Sequence, residues 1–440
     1  MKSLRDLISK RYGAEIALVA DGVEVSVEKL LSQQPKLEFG CRLAISIQDP
    51  YVLLKFLCTY DGWSAAYLLL AGDLDPDTIE ALAREAAISI IVSDRPEVTA
   101  THHPDAIIGF GKTSGQSRLT DWILTTSGTT GLPKLVRHRL DALRRTVRRP
   151  NKSSPLPVWG LTYEPTRFAG LQVVLQALIG NGRLVTLRQS SDIGDRLAGF
   201  EKAGVTHISA TPTEWRRMLM HPASRRLRLR QVTLGGEIAD QAVLDNLRSL
   251  FPDAQVTHIY ASTEAGVGFS VKDGQEGFPG TWLDNPPHGV DLKVFDQRLW
   301  VRSDDSHGEY LGTTKIPRDR AGFIDTQDIV EQRDGRIFFQ GRNSGVVNVG
   351  GIKVHPEIVE RALNASDLVA LSRVTARKNP ISGAILVAEV VPAQMPDDSS
   401  AFKTELMRYC RSCLRAEAVP ALITLKEFLD VNMAGKLNRR

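Results

Sequence analysis

The sequence predicts an α/β protein: a large N-terminal domain of mainly parallel sheets with helices and a small β-rich subdomain, then a small α+β C-terminal domain. Three observations predict it. Short apolar runs alternate with amphipathic stretches from 183 to 261. From about 278 to 341 the texture changes to short strand-like runs broken by Gly, Pro and Asp. After Gly341 a compact succession of turn, helix, strand and helix follows. The 440 residues, 42% hydrophobic and 24% charged, suffice for more than one core, and the domains are expected at 1–341 and 342–440.

In the alternating region, "RLVTL" (183–187), "VTHISA" (205–210), "QVTLGG" (231–236) and "VTHIYA" (256–261) read as strands. Between them "DIGDRLAGFEKAG" (192–204), "PTEWRRML" (212–219) and "DQAVLDNLRSLF" (240–251) carry helical periodicity, the order of a parallel sheet with crossover helices. "KVFDQRLWVRSDDS" and "RIFFQGR" supply the short strands of the β-rich subdomain. Beyond Gly341, "VVNVGGIKV" is strand or turn, "HPEIVERALN" a helix with Pro356 in its first turn, and "GAILVAEVVP" a strand. The last helix, "SSAFKTELMRYCRSCL", puts Phe402, Leu406, Cys410 and Cys413 on one stripe. Four cysteines make no disulfide scaffold, and Cys410-x-x-Cys413 lacks the second pair that zinc requires, so core packing is the expectation for both.

Composition narrows the function classes. Net charge is +4 and the pI about 8.8, with the basic excess clustered at 137–152 and 216–230. Both segments read as solvated helix faces, with phosphates or an acidic partner protein as the alternative. Neither interleaves aromatics, so nucleic acid is not expected. "WSAAYLLLAG" (62–71) is too short to span a bilayer and the N-terminus lacks an apolar signal region, which points to a cytosolic protein without a membrane span.

The stretch Thr126-Ser127-Gly128-Thr129-Thr130-Gly131-Leu132-Pro133-Lys134 follows the apolar run Trp122-Ile123-Leu124. Small residues let a backbone approach a phosphate chain, hydroxyls and N–H groups share its charge, and the lysine adds a cation. The spacing is neither a P-loop nor a Rossmann fingerprint. Alone such a stretch is more often a turn.

Five further stretches follow it in order: Gly235-Gly236-Glu237, Tyr260-Ala261-Ser262-Thr263-Glu264, Thr326-Gln327-Asp328, Gly341-Arg342-Asn343-Ser344 with Gly350-Gly351, and Asn432-Met433-Ala434-Gly435-Lys436-Leu437-Asn438-Arg439. Together, over roughly residues 40 to 440, they resemble the signatures of the adenylate-forming superfamily of acyl- and aryl-CoA synthetases, peptide-synthetase adenylation domains and luciferase. Each motif is weak; six in order are strong. Leu135 and Gln327 stand where relatives usually carry glycine, and the N-terminal region is short for the family.

The resemblance implies ATP-dependent activation of a carboxylic acid to an acyl-adenylate with release of pyrophosphate, then transfer to the thiol of coenzyme A or a carrier protein's phosphopantetheine. It implies that Thr126, Ser127, Gly128, Thr129 and Thr130 cradle the phosphates, with Lys134 following the pyrophosphate. Tyr260 is expected to stack on adenine with Gly236 and Glu237 beside it, Thr263 to contact the α-phosphate, and Glu264 to hold Mg²⁺. Asp328 is expected on the ribose hydroxyls with Arg342 nearby, and Lys436 between the reacting carboxylate and the α-phosphate. The small domain is expected to rotate about Ser344, bringing Gly350 and Gly351 to the thiol channel. Tyr163, Glu164, Arg167 and Phe168 compete for the acyl pocket, where many relatives place an aromatic–histidine pair that the segment 161–180 lacks. An aromatic or medium apolar acid is favoured; an amino acid held by Glu164, a catalytically inactive nucleotide-binding relative, and a kinase or ATPase releasing ADP are the alternatives.

Overall fold

The computed structural model describes residues 2–11, 15–110, 117–126, 132–151, 154–187, 192–287, 289–303, 308–311, 318–380 and 383–438. Its main body is α/β, with two large, mostly parallel sheets. One has six strands in the order Glu309–Tyr310, Leu135–Arg139, Asp121–Thr125, Ala66–Leu69, Arg42–Ser46, Ile90–Ser93. The four strands from Asp121–Thr125 to Ile90–Ser93 run parallel, whereas Leu135–Arg139 turns back antiparallel to Asp121–Thr125. Thr126 and Lys134 therefore face each other across a hairpin mouth, closed by Thr126 N–H donating to the Lys134 carbonyl at 2.9 Å.

The other large sheet has eight strands, Gly266–Val271, Gln255–Ser262, Gln231–Gly235, His207–Ala210, Val158–Leu161, Arg183–Thr186, Ile16–Ala20 and Val23–Ser26. All but the two edge strands are parallel to their neighbours. Its expected crossover helices form at Ile193–Lys202, Pro212–Met220 and Gln241–Leu250, each started by a side chain (Asp192, Thr211, Asp240) accepting from the third helical N–H. These helices bury Leu197, Phe200, Trp215, Met218, Leu244 and Leu247 against one face of the sheet.

The opposite face meets the helix Phe168–Ile179, which is apolar nearly all round because it lies between the two large sheets. It shares a core with Leu43, Tyr67 and Trp122 from the first sheet and Leu18, Leu184 and Trp159 from the second. A β-carbon on Gly170 in its first turn would stand 2.1 Å from the Glu164 carbonyl oxygen, so only glycine allows the helix to start against that carbonyl.

The β-rich segment forms a five-stranded antiparallel sheet, Phe278–Pro279, Arg336–Arg342, Ile324–Arg333, Arg298–Ser303, Val290–Phe295. Beyond Arg342 the chain builds a separate core on Val359, Leu363, Val374, Val390, Phe402 and Leu406. There the hairpin Val347–Val349/Ile352–Val354 turns at Gly350 and Gly351, both left-handed (φ +58° and +91°), the pair that a two-residue hairpin turn demands. The helices Pro356–Asn364 and Ser399–Cys413 and the three strands Val369–Asn379, Gly383–Pro392 and Leu422–Leu425 complete this part.

Three expectations are corrected. Cys410 is buried but Cys413 is exposed: it is the last helical residue, three positions on from Cys410, at the edge of the stripe rather than its centre. In the basic segment 137–152, the described residues 137–151 are not a helix face; they run through a strand end, the single turn Leu140–Leu143 and a loop that borders the cleft described below. In 216–230, Arg216 faces inward and binds both carboxylate oxygens of Asp240 at 2.6 Å, and only the later arginines reach solvent.

The Gly170 contact is testable. Alanine is the better helix former by about 1 kcal/mol, yet Gly170→Ala is expected to destabilise the fold by about 1–3 kcal/mol in denaturant unfolding, because the helix start must move off the Glu164 carbonyl.

Candidate active site

A single cleft of about 2380 Å³ lies at the carboxyl ends of the parallel strands and reaches the part of the chain beyond Arg342. That is more than twice the upper range for one small ligand, so it has room for several groups at once. Such strand ends are where open α/β sheets bind ligands.

The cleft gathers residues remote in sequence. Strand Gln231–Gly235 ends in Gly236, left-handed at φ +81°, where a β-carbon would lie 3.4 Å from Lys436 Cε. Lys436 is presented by a tight turn: Gly435 N–H donates to the Asn432 carbonyl at 2.8 Å, Asn432 N–H to the Lys436 carbonyl at 2.8 Å, and Lys436 N–H to Asn432 Oδ1 at 3.2 Å. Thr211 Oγ1 donates to the Gly435 carbonyl and so ties this turn to the large body. Burial lowers the Lys436 pKa from its ordinary 10.5, Glu237 and Asp328 oppose that shift, and Arg342 and Arg167 add to it. Glu237 in turn accepts from Thr213 N–H at 3.0 Å.

Asp328 is braced from two sides. Tyr260 Oη donates to its Oδ2 at 2.5 Å and Arg342 Nε lies 2.9 Å from its Oδ1. The antiparallel pairing of Ile324–Arg333 with Arg336–Arg342 sets Asp328 directly opposite Arg342. Burial raises the Asp328 pKa, with Arg342 and Tyr260 pulling it back. The Tyr260 ring departs from the expectation of a free stacking surface. Phe269 and Phe339 already stack on it, with centroids at 5.1 and 5.2 Å and planes within 16° and 8°, so what it directs to the site is its hydroxyl.

Glu264 lies just past the end of strand Gln255–Ser262 and accepts from Tyr310 Oη at 3.0 Å. The Tyr310 ring carries Lys134 Nζ above it, 5.1 Å from the centroid, so one tyrosine sets the loop lysine beside Glu264. Among the described residues no cluster of three or more metal ligands exists. A single braced carboxylate fits Mg²⁺, which binds through one or two carboxylates together with phosphate oxygens and water. Thr263 lines the cleft next to Glu264. Ser127, Gly128, Thr129 and Thr130 lie outside the described residues.

The segment before helix Phe168–Ile179 forms the neighbouring wall. Tyr163 Oη donates to the Gly235 carbonyl at 3.1 Å, and Thr166 Oγ1 donates to Glu164 Oε1 at 2.9 Å. Burial raises the Glu164 pKa. Arg167 Nη2 contacts both Asp73 carboxylate oxygens, at 2.6 and 2.7 Å, so its charge is already matched. Phe168 meets the ring of buried His138 at 5.9 Å: an aromatic and a histidine do come together, but from a helix and a strand that no local motif joins. Burial pushes the His138 pKa down to about 4, so its imidazole is neutral. Ser344 borders the cleft in the turn Asn343–Gly345, whereas Gly350 and Gly351 stand outside it with nothing within 4 Å of where their β-carbons would be. Tyr310, Asp73, Thr211 and His138 carried no sequence signal, since each acts through a partner far along the chain.

Fold and cleft together define a class: an α/β body with a large cleft, polar at the strand ends, completed by a lysine from a small C-terminal unit. Residues 120–315 match the family model described as AMP-binding enzyme. Among curated proteins, the chain is 29% identical over 264 residues to a 2-succinylbenzoate–CoA ligase of Salmonella typhimurium, covering 57% of this chain and 53% of that protein. It is 22% identical over 419 residues to the human mitochondrial acyl-coenzyme A synthetase ACSM2B, covering 86% of this chain and 71% of that protein. It thus spans about half the length of the first of these relatives. Among solved structures, the anthranilate CoA ligase AuaEII in complex with anthranoyl-AMP superposes with a TM-score of 0.81 over 99% of this chain and 95% of that one, at 15% identity. Over residues 120–315 the chain thus matches AMP-binding enzymes, the adenylate-forming proteins that its ordered motifs resemble.

The geometry also explains the departure at residue 327. Gln327 adopts φ +61°, a left-handed conformation that costs a non-glycine residue about 1–2 kcal/mol, and Asn343 Nδ2 donates to its Oε1 at 3.2 Å. Gln327→Gly is expected to raise unfolding stability by about 1 kcal/mol after loss of that exposed hydrogen bond, measured by denaturant titration.

Proposed function

We propose that the protein is an acid–thiol ligase: it joins a carboxylic acid to AMP, releases pyrophosphate, and passes the acyl group to the thiol of coenzyme A or a phosphopantetheine. The observation that carries this reading is the half-buried Lys436 ammonium at the Gly236 turn, between Glu237 and Asp328 and beside Arg342. A nucleotide-binding protein without chemistry has no need to bury a lysine there. The names of the relatives, CoA ligases and an acyl-CoA synthetase, support the same class.

In this reading a carboxylate oxygen of the acid attacks the α-phosphorus of ATP and the bond to pyrophosphate breaks. Lys436 neutralises the carboxylate and the α-phosphate as they approach, where their mutual repulsion is greatest. Asp328, held by Tyr260 and Arg342, accepts the two ribose hydroxyls, and Gly236 and Glu237 border the base. Thr263 meets the α-phosphate, and Thr126 with Lys134 lies along the departing phosphates. Glu264 would hold Mg²⁺, which would supply further positive charge there. In the second step the thiol sulfur attacks the acyl carbon and AMP leaves. The acyl chain lies against Tyr163, Glu164 and Phe168, with Arg167 held by Asp73 at its edge. An aromatic or medium apolar acid suits Phe168 and the apolar helix behind it.

The division at 341/342 and a rotation about Ser344 belong to the same proposal. Lys436 occupies the cleft while Gly350 and Gly351 stand outside it, the arrangement suited to the first step; the thiol step needs the reverse.

Two measurements follow. Lys436→Ala is expected to slow acid-dependent pyrophosphate release by about 10²-fold or more while nucleotide binding persists. The ammonium is the active form and burial lowers its pKa, so the wild-type rate should fall on the alkaline side below the 10.5 of a free lysine, and Lys436→Arg should move that limb upward. A wild-type adenylation rate in Lys436→Ala removes the assignment. Ser344→Pro, which restricts φ at the hinge, should leave pyrophosphate release largely intact and depress thioester yield. Equal loss of both steps places the hinge elsewhere.

A further inference from the structure

The cleft does not stop at the strand ends. It continues down the face of the eight-stranded sheet that meets helix Phe168–Ile179, bordered by Phe168, Val173, Ile259 and Val267, and reaches a polar patch near the amino ends of the strands. Parallel register sets that patch out in rows. Thr233 and Thr257 stand side by side two residues before Gly235 and Ile259, and Trp159, His207 and Gln231 form the next row. At about 3.3 Å per residue these rows lie about 7 and about 13 Å below the level of Gly235.

Two of these groups are buried donors without a partner. The Thr257 hydroxyl and Trp159 Nε1 make no hydrogen bond, though their residues are only 2% and 8% exposed and both line the cleft. Leaving such groups unpaired costs about 1–3 kcal/mol each, which a ligand can recover. His207 adds a third donor. Thr206 Oγ1 accepts from Val158 N–H at 3.0 Å and Arg230 Nη2 at 3.2 Å, which fills its lone pairs; of the two acceptors its proton can reach, His207 Nδ1 at 2.8 Å is nearer than the Val158 carbonyl at 3.4 Å, and that choice sets the ring proton on Nε2.

The charge around this end has one sign. Arg148, Arg149, Arg230 and Lys272 border it. Among the described residues, the bonds of Arg149 and Arg230 go to carbonyls and a hydroxyl, and none of these three arginines pairs with a carboxylate. The middle of the passage is apolar, its far end offers donors and unneutralised cations, and its near end holds Lys436.

We infer that the acid activated here is bifunctional: an apolar or aromatic spacer links the reacting carboxylate to a second, distal carboxylate received by Thr257, Trp159 and His207 inside the arginine border. This rests on the acid activation proposed above and specifies its substrate class as dicarboxylic acids whose two ends stand about 7–13 Å apart.

The test uses the full chain and acids matched in length, octanoate against octanedioate and 4-phenylbutyrate against 4-(4-carboxyphenyl)butyrate. Pyrophosphate release is followed with each, and octanedioate binding is titrated by calorimetry. The diacid of each pair is expected to have a kcat/KM about 10²-fold or more above its monoacid. Thr257→Val and Trp159→Phe should each reduce that ratio about tenfold, leaving the KM for ATP and the thermal midpoint unchanged, while Thr257→Ser retains it. Monoacids turned over as well as diacids overturn the inference and leave the ligase reading standing. If no acid releases pyrophosphate, the ligase reading falls, and the calorimetry decides the distal site separately: weaker octanedioate binding in Thr257→Val supports it, and no binding to either protein overturns it.

Discussion

The arrangement depends on one half-buried cation in the cleft. Lys436 is carried on the last turn of the chain into a cleft formed by residues some two hundred positions earlier, and its charge is tolerated there because Glu237 and Asp328 face it. An ammonium taken out of water costs several kcal/mol unless it is paired. The neighbours therefore come as a set: Gly236 clears the space, Thr211 fixes the turn that presents the lysine, and Arg342 aims Asp328 and opposes the rise that burial gives its pKa. Arg342 and Arg167 also press on the lysine, so the site is poised between pairing and repulsion.

That poise sits on rigid supports. The two large sheets sandwich helix Phe168–Ile179, and their parallel strands all deliver carboxyl ends to one rim, which is why Thr126, Gly236 and Thr263 meet there. The antiparallel third sheet contributes differently: it sets Asp328 opposite Arg342 by register and supplies Phe339 to hold Tyr260. Two tyrosines then act as braces, Tyr260 on Asp328 and Tyr310 on Glu264, each fixing a carboxylate that faces the cleft. The same sheet face that packs the helix at one end leaves donors unpaired at the other, which is how one passage comes to be apolar in its middle and polar at its foot.

Most of the architecture was legible in the sequence, for local reasons. Strands such as Gln231–Gly235 and helices such as Gln241–Leu250 carry the correct periods and start at capping side chains, so the alternating order of a parallel sheet emerged from the pattern alone. The same reasoning failed at Cys413, because a stripe that begins at Phe402 has drifted off the core by the helix end, and at 137–152, where six arginines hid a strand, one turn and a loop.

By itself, then, the sequence determined the fold class and which residue types stand where chemistry needs them: Lys436, Glu264 and Asp328 lie in ordered motifs whose spacing is a property of the chain. Only the tertiary structure decided how those groups are held. The pairing of Arg167 with Asp73, the brace of Tyr310 on Glu264, the engaged ring of Tyr260, and the unpaired Thr257 and Trp159 each join residues distant along the chain. The physical reason is that a motif records neighbours in sequence, whereas partner choice and burial, which set charge and hydrogen-bonding capacity, are fixed when separate strands and helices pack.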